Sequence, residues 1–269
     1  MSAAPGQSGH APAGPLGAAA VFDMAGEVVL VTGASSGLGR RFAAVLAANG
    51  ARVALAGRRR EALDETVAEI AAAGGTALAV PFEVTDFEAH GPALDAVEQA
   101  LGPLTGLVNN AGIAGSAPIA ETTLDRWREI IAVDLDAPFV LARAAAQRMG
   151  GRGGSIVNVA SILGLRPTPG DAAYAVAKAG LTQLSGVMAL EFAPLGIRVN
   201  TLAPGYVVTG MNRDFFASEA SRPLVERIPL RRVGQVDDLD GAILFLASKA
   251  SRFVTGAVVV VDGGHLHAL

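Results

Sequence analysis

Tyr174 and Lys178 stand four residues apart in the stretch Tyr-Ala-Val-Ala-Lys, and the chain holds only two tyrosines. On a helix, residues four apart share a face. An ordinary tyrosine gives up its proton at about pH 10, too high for easy exchange at neutral pH. A neighbouring ammonium favours the phenolate and lowers that value. A phenol tuned this way can give a proton to a carbonyl oxygen or take one from an alcohol. Ser161 lies thirteen residues before Tyr174, just after the apolar run Ile156 to Ala160, where its hydroxyl can hold a substrate oxygen. An isolated Tyr-x-x-x-Lys is as well explained by an interfacial tyrosine and a solvated lysine, so the surrounding elements decide its meaning.

Those elements alternate. Short apolar runs at Val28 to Val31, Val53 to Ala56, Ala77 to Val80, Gly106 to Asn109, Ser155 to Ala160, Ile197 to Leu202 and Val258 to Val261 read as strands. Amphipathic stretches at Leu38 to Ala48, Glu61 to Ala73, Phe87 to Leu101, Leu124 to Met149, Ala172 to Phe192 and Val236 to Leu246 read as helices. Asn49-Gly50 and Gly74-Gly75 supply C-terminal stops. About seven apolar strands alternating with helices predict an α/β fold: a single-domain, Rossmann-like, doubly wound parallel sheet with helices on both faces. Residues 1–22, rich in Ala, Gly and Pro, are expected to form a disordered leader, and residues 23–269 a single dinucleotide-binding and catalytic domain. The least regular part, about 205–233, is expected to be a substrate lid.

Ligands of such sheets bind at the carboxyl ends of the strands. The loop after the first strand reads Thr32-Gly33-Ala34-Ser35-Ser36-Gly37-Leu38-Gly39. Gly33, Gly37 and Gly39 permit a tight turn and close approach of backbone to ligand, and the helix start beyond offers free N–H groups to a pyrophosphate. The second strand ends in Gly57-Arg58-Arg59-Arg60, with no carboxylate for a ribose 2′-hydroxyl. A guanidinium suits a 2′-phosphate, so Arg58 and Arg59 favour NADP(H) over NAD(H).

With these motifs in order, the chain resembles the short-chain dehydrogenase/reductase family from about Met24 to Gly264. "TGASSGLG" (32–39) is similar to its coenzyme loop, "NNAG" (109–112) to the motif after its fourth strand, and Ser161 with "YAVAK" (174–178) to its catalytic set. "RVNTLAPGYVVT" (198–209) resembles the segment beside the nicotinamide, and "VDGG" (261–264) the closing strand. The resemblance implies hydride transfer between a nicotinamide and a carbonyl or secondary alcohol. Tyr174 would be the acid/base, Ser161 would position the substrate oxygen, and Lys178 would lower the tyrosine's pKa and bind the ribose. Gly33, Ser35, Ser36, Gly37, Leu38 and Gly39 would hold the pyrophosphate side, and Glu83 and Val84 would flank the adenine. Asn110, Ala111 and Gly112 would line the cofactor, and Pro204, Gly205, Val207 and Thr209 its carboxamide end. Asp134 stands where the family usually carries an asparagine that holds a water near the lysine; it keeps two acceptors, loses the donor and is expected to alter the pH profile. Glu83 likewise stands where the family usually has aspartate.

Ile162, Leu163, Leu165, Tyr206, Met211, Phe215 and Phe216 follow Ser161 or lie in the irregular segment, and predict a substrate with an apolar body. Arg213, Arg222 and Arg227 in the same segment read as solvated surface. A net charge of −4 gives no reason to expect nucleic acid or an anionic membrane as partner. With no cysteine there are no disulfides or thiolate sites, which fits a reducing cytoplasm, and the four histidines include no convincing metal set. No signal peptide or membrane span is expected. By family analogy the helices around 122–149 and 171–194 pair subunits into a homotetramer. Two other readings stay open: an NAD-dependent sugar-alcohol or hydroxy-acid dehydrogenase, and a dinucleotide-binding regulator that has lost turnover.

Overall fold

The computed structural model describes residues 16–210 and 212–268. A four-residue helix, Ala18–Val21 (α1), precedes the sheet and buries nothing. This replaces the expected disorder for its residues; the rest of the expected leader, residues 1–15, lies outside the described residues.

Seven strands form one sheet: Val28–Thr32 (β1), Arg52–Gly57 (β2), Thr76–Pro81 (β3), Gly106–Asn109 (β4), Gly154–Val159 (β5), Ile197–Pro204 (β6) and Val258–Val261 (β7). Their order is β3-β2-β1-β4-β5-β6-β7, and every pair is parallel. Parallel neighbours need crossover connections, and the helices supply them: Gly37–Ala48 (α2), Arg60–Ala72 (α3), His90–Leu101 (α4), Leu124–Ile131 (α5), Ala137–Met149 (α6), Ala172–Phe192 (α7) and Asp240–Ala247 (α10). The winding reverses between β1 and β4, which opens a crevice at their carboxyl ends.

Alternate residues of β1 feed two cores. Val28 and Leu30 join Leu94, Leu141 and Met188 on one face; Val29 and Val31 join Phe42, Leu46 and Leu246 on the other. Each fully buried side chain of this size contributes about 1.5–3 kcal/mol. Burial on both faces explains why the strands read as unbroken apolar runs.

The sequence predicts one helix over Leu124 to Met149, and the structure corrects this. Ala132–Asp136 is a π turn between α5 and α6, closed by the Ala137 N–H donating to the Ala132 carbonyl. Pro138, next in the chain, has no N–H to give the Asp134 carbonyl, so the α-helical ladder cannot continue. The irregular segment is also more ordered than its composition suggests: it holds the short helices Arg213–Ala217 (α8) and Arg222–Arg227 (α9).

A buried polar chain fixes α7 against the sheet. Asn109 Nδ2 on β4 donates to Asn158 Oδ1 on β5 at 2.8 Å, Asn158 Nδ2 donates to Ser185 Oγ on α7 at 2.8 Å, and Ser185 donates to the Leu181 carbonyl at 2.7 Å. Asn158, wholly buried, joins two neighbours at once. Asn158→Ala should leave the Asn109 donor and the Ser185 acceptor short of partners and lower stability by about 1–3 kcal/mol, read as a fall in Tm and in the urea midpoint.

Candidate active site

The carboxyl ends of β4, β5 and β6 open into a cleft of about 490 Å3. Its lining includes Leu38, Asn110, Ser161, Tyr174, Lys178, Pro204, Gly205, Tyr206, Val207 and Thr209.

Ser161 follows β5 and caps the 3₁₀ turn Ile162–Gly164, its Oγ accepting the Leu163 N–H at 3.1 Å. That leaves the hydroxyl proton free to point into the cleft. The turn sits directly on α7, because a Cβ on Gly164 would come within 2.6 Å of the Lys178 carbonyl carbon. Only glycine lets Ser161 stand this close to the helix that bears Tyr174.

Lys178 is 3% exposed, and its Nζ donates to the Val159 carbonyl at 3.1 Å. The same nitrogen lies 5.5 Å from the centre of the Tyr174 ring and 3.8 Å from Asp134 Oδ1. Burying an ammonium is costly unless it is paired and hydrogen-bonded, and this site supplies both.

Asp134 has no exposed surface. Its Oδ1 accepts the Ile113 N–H at 3.0 Å, while Oδ2 has no hydrogen-bond partner among the described residues. Burial raises the Asp134 carboxyl above the ordinary carboxylate range, against the opposing charge of Lys178, the Ile113 hydrogen bond and the charge of Arg126. The π turn carries Asp134 to this place, and Gly112 makes room for it: a Cβ there would come 2.7 Å from Asp134 Oδ1 and 3.3 Å from Lys178 Nζ.

The loop after β1 is built for close backbone approach. Gly33 and Gly37 are left-handed, at φ 65° and 54°. A Cβ on Gly39 would come 2.4 Å from the Gly33 carbonyl oxygen and 2.5 Å from Asn110 Nδ2. Thr32 and Asn110 lock the loop to the end of β4: the Asn110 and Ala111 N–H groups donate to Thr32 Oγ1 at 3.0 Å, and Asn110 Nδ2 donates to the Thr32 carbonyl at 2.9 Å. Ser36 holds the N-cap position of α2 without spending its side chain there. Free N–H groups at the start of a twelve-residue helix, bordered by small residues, fit a pyrophosphate.

Beyond β2 the two arginines differ. Arg59 donates to Ser35 Oγ of the loop at 3.1 Å. Arg58 is paired with Glu83 at 3.5 Å, and its side chain is 74% exposed. Val84 is buried beneath, beside Thr32 and Ala111.

The other wall is aromatic. Tyr206 meets Phe216 edge-on at 6.2 Å, and Phe216 meets Phe215 at 5.1 Å. Burial first, then the charge of Asp171, raises the Tyr206 phenol above its ordinary value, with Arg227 opposing. Ile162 and Leu163 also line the cleft. Leu165 does not: past Gly164 the chain heads toward the C-terminal turn, where Arg166 donates to the Leu266 carbonyl at 3.0 Å, and Leu165 is left 37% exposed. Met211 lies outside the described residues. Among the described residues no group of three His, Asp or Glu is placed to hold a metal, and no helix is long and apolar enough to cross a membrane.

The sequence pattern of the family described as enoyl-(acyl carrier protein) reductase matches residues 33–265. Gluconate 5-dehydrogenase of Gluconobacter oxydans is 40% identical over 246 residues, covering 91% of this chain and 96% of that protein. The chain belongs to the short-chain dehydrogenase/reductase family. Galactitol 2-dehydrogenase (L-tagatose-forming) of Cereibacter sphaeroides is 40% identical over 250 residues, 91% of this chain and 97% of that protein. The crystal structure of a gluconate 5-dehydrogenase from Burkholderia cenocepacia in complex with NADP and tartrate superposes with a TM-score of 0.90 at 36% identity, covering 94% of this chain and 100% of that one. Membership makes this chain an NAD(P)-dependent oxidoreductase of CH–OH and C=O groups.

Within this family frame the cleft includes residues that the sequence reading did not single out, among them Ile113, Ser116, Asp171 and Asn212. Asn212 holds the loop after β6, accepting the Thr209 N–H at 2.7 Å and donating to the Val207 carbonyl at 2.9 Å. Asp171 was the discoverable one, as an aspartate at the start of the helix that carries Tyr174.

The raised Asp134 value has a thermodynamic sign. The folded chain holds this proton more tightly than the unfolded chain, so stability falls as pH rises from the ordinary carboxylate range through the raised folded value. Asp134→Asn removes the titration. Its Tm relative to the parent should therefore rise as pH climbs above about 4. A pH-independent difference would refute this account.

Proposed function

We propose that this chain is an NADP(H)-preferring oxidoreductase that interconverts a ketone and a secondary alcohol, with Tyr174 as the acid/base. The observation that carries the reading is the convergence of Ser161, Tyr174 and a buried Lys178 on one cleft at the carboxyl edge of the sheet. An intact set of this kind argues against a silent dinucleotide-binding regulator.

The bound nicotinamide supplies the hydride acceptor or donor. The protein does the rest. Ser161 gives its hydroxyl proton to the substrate oxygen and orients the carbonyl. The Tyr174 phenol donates its proton to that oxygen during reduction and takes it back during oxidation. Lys178, its Nζ 5.5 Å from the centre of the Tyr174 ring, would hold the nicotinamide ribose beside the phenol. Its proton supply runs past Asp134, whose unpartnered Oδ2 suits a bound water.

The residues present fit the dinucleotide. Gly33, Ser35, Ser36, Gly37, Leu38 and Gly39 would hold the pyrophosphate side, and Asn110, Ala111 and Gly112 the ribose and nicotinamide. Pro204, Gly205, Val207 and Thr209 would hold the carboxamide end, with Glu83 and Val84 beside the adenine. Arg59, anchored on Ser35, and Arg58, whose exposed pair with Glu83 is worth little, would meet the 2′-phosphate. NADP in the Burkholderia structure supports this preference.

Tyr206, Phe215, Phe216, Ile162 and Leu163 favour a substrate with an apolar face. A second reading, a sugar-alcohol or hydroxy-acid dehydrogenase on the same machinery, is supported by the names of the gluconate and galactitol relatives. Exposed Val187 and Leu190 on α7, and Phe139 on α6, support a homotetramer built on those helices. The lack of cysteine agrees with the cytoplasm.

Tyr174→Phe should keep NADPH binding and lose at least about 100-fold in kcat. Turnover surviving in that variant rejects the mechanism. In parallel fluorescence titrations the parent should bind NADPH more tightly than NADH. The double variant Arg58→Ala/Arg59→Ala should weaken NADPH by about tenfold or more while leaving NADH nearly unchanged. Equal losses for both cofactors would mean the arginines do not read the 2′-phosphate.

A further inference from the structure

Asp171 occupies the N-cap position of α7, three residues before Tyr174. Aspartate is among the best N-caps because its carboxylate accepts N–H groups of the first turn. Here it does not: the Asp171 side chain makes no capping hydrogen bond. It turns instead to the cleft, which it lines together with Ser161, Tyr174 and Tyr206. Ser116 Oγ donates to its Oδ1 at 2.7 Å, and Oδ2 has no hydrogen-bond partner among the described residues. The backbone pins this arrangement. Ala117 pairs with Asp171 in an isolated bridge, and the Ala117 N–H donates to the Gly170 carbonyl at 2.8 Å. No Lys or Arg side chain forms an ion pair with Asp171 among the described residues. The cleft's one lysine, Lys178, is committed to Val159 and Asp134.

An ionised carboxylate facing a ligand cleft without a cation is an acceptor waiting for donors. Hydrogen bonds to a charged acceptor are the strong ones. Neighbours at i and i+3 share a helix face, so Asp171 and Tyr174 address one substrate together. The same cleft is lined by Tyr206, Phe215 and Phe216, which suit the C–H side of a ring or chain.

We infer that Asp171, held by Ser116, receives a second hydroxyl of the substrate, on a carbon near the reacting carbinol, so that the enzyme selects vicinal diols and polyols over simple alcohols. This rests on the carbonyl–alcohol reading proposed above and names its substrate class. A negative group at that end of the substrate would meet like charge and be rejected.

The test uses the full chain with NADP(H). The probes are trans-1,2-cyclohexanediol against cyclohexanol, with galactitol as an extended polyol. The parent should prefer the diol in kcat/KM. In Asp171→Ala the diol-to-alcohol ratio should fall by at least about tenfold, with the loss falling on KM. Asp171→Asn should retain part of the preference, since an amide oxygen still accepts. Separately, galactitol should raise the Tm of the NADPH-loaded parent and not that of Asp171→Ala. Turnover whose diol preference survives Asp171→Ala overturns this inference and leaves the proposed reaction standing. A galactitol-dependent Tm shift that needs Asp171, without turnover of any alcohol, upholds the recognition and overturns the reaction. Neither turnover nor a shift overturns both.

Discussion

A positive charge is buried beneath the cleft, and much of the surrounding structure exists to make that tolerable. Lys178 has almost no contact with solvent, so its ammonium must find oxygen within the protein. The Val159 carbonyl at the end of β5 provides one partner, and the Asp134 carboxylate provides opposite charge just beyond hydrogen-bonding distance. Satisfying both requires three elements at once. The end of β5 must reach α7, the segment between α5 and α6 must bring Asp134 inward, and the loop after β4 must leave room at Gly112. The chain of Asn109, Asn158 and Ser185 holds the same elements together a few residues away. Fold and site are therefore joined through buried polar groups, and the apolar core supplies the rest of the stability.

Much of this was legible in the sequence, for physical reasons. A strand buried on both faces must be continuously apolar, so all seven strands could be found. Parallel pairing needs crossovers, so the alternation with helices pointed to a doubly wound parallel sheet, though not to its strand order. Ser161 stands at a strand end and Tyr174 and Lys178 on one helix, where periodicity places them. What was not legible depended on three-dimensional packing. Pro138 looks harmless at the level of composition, yet the missing N–H converts the helix around it into a π turn. Leu165 follows Ser161 as closely as the cleft residues do, but Arg166 draws the chain toward the C-terminal turn. Asp171 was visible as an aspartate at the start of the tyrosine's helix, but not that its carboxylate leaves the cap and meets Ser116 at the cleft. Which of the two arginines beyond β2 meets the glycine loop was not legible, because contact with Ser35 depends on where a loop 24 residues earlier lies.

The relatives set this division in context. Chains about 40% identical to this one over nearly their whole length carry names that point to different alcohols. The residues that hold Lys178 and the glycine loop have little freedom, since a single methyl at Gly39, Gly112 or Gly164 would collide with backbone or with charged atoms. The aromatic wall at Tyr206, Phe215 and Phe216, and the Ser116–Asp171 pair, are attached to loops and short helices that can vary without disturbing the buried charge.

The π turn at Ala132–Asp136 has a consequence for chain length. Such a turn carries one residue more than the α-helical turn it replaces. Deleting a residue there would swing everything on its N-terminal side by about 100° relative to α6. The side chain at position 134 would leave the lysine, and the Thr123-capped start of α5 would leave its seat. The extra residue thus acts as a register mark that ties the place of Asp134 to the length of the chain at this point.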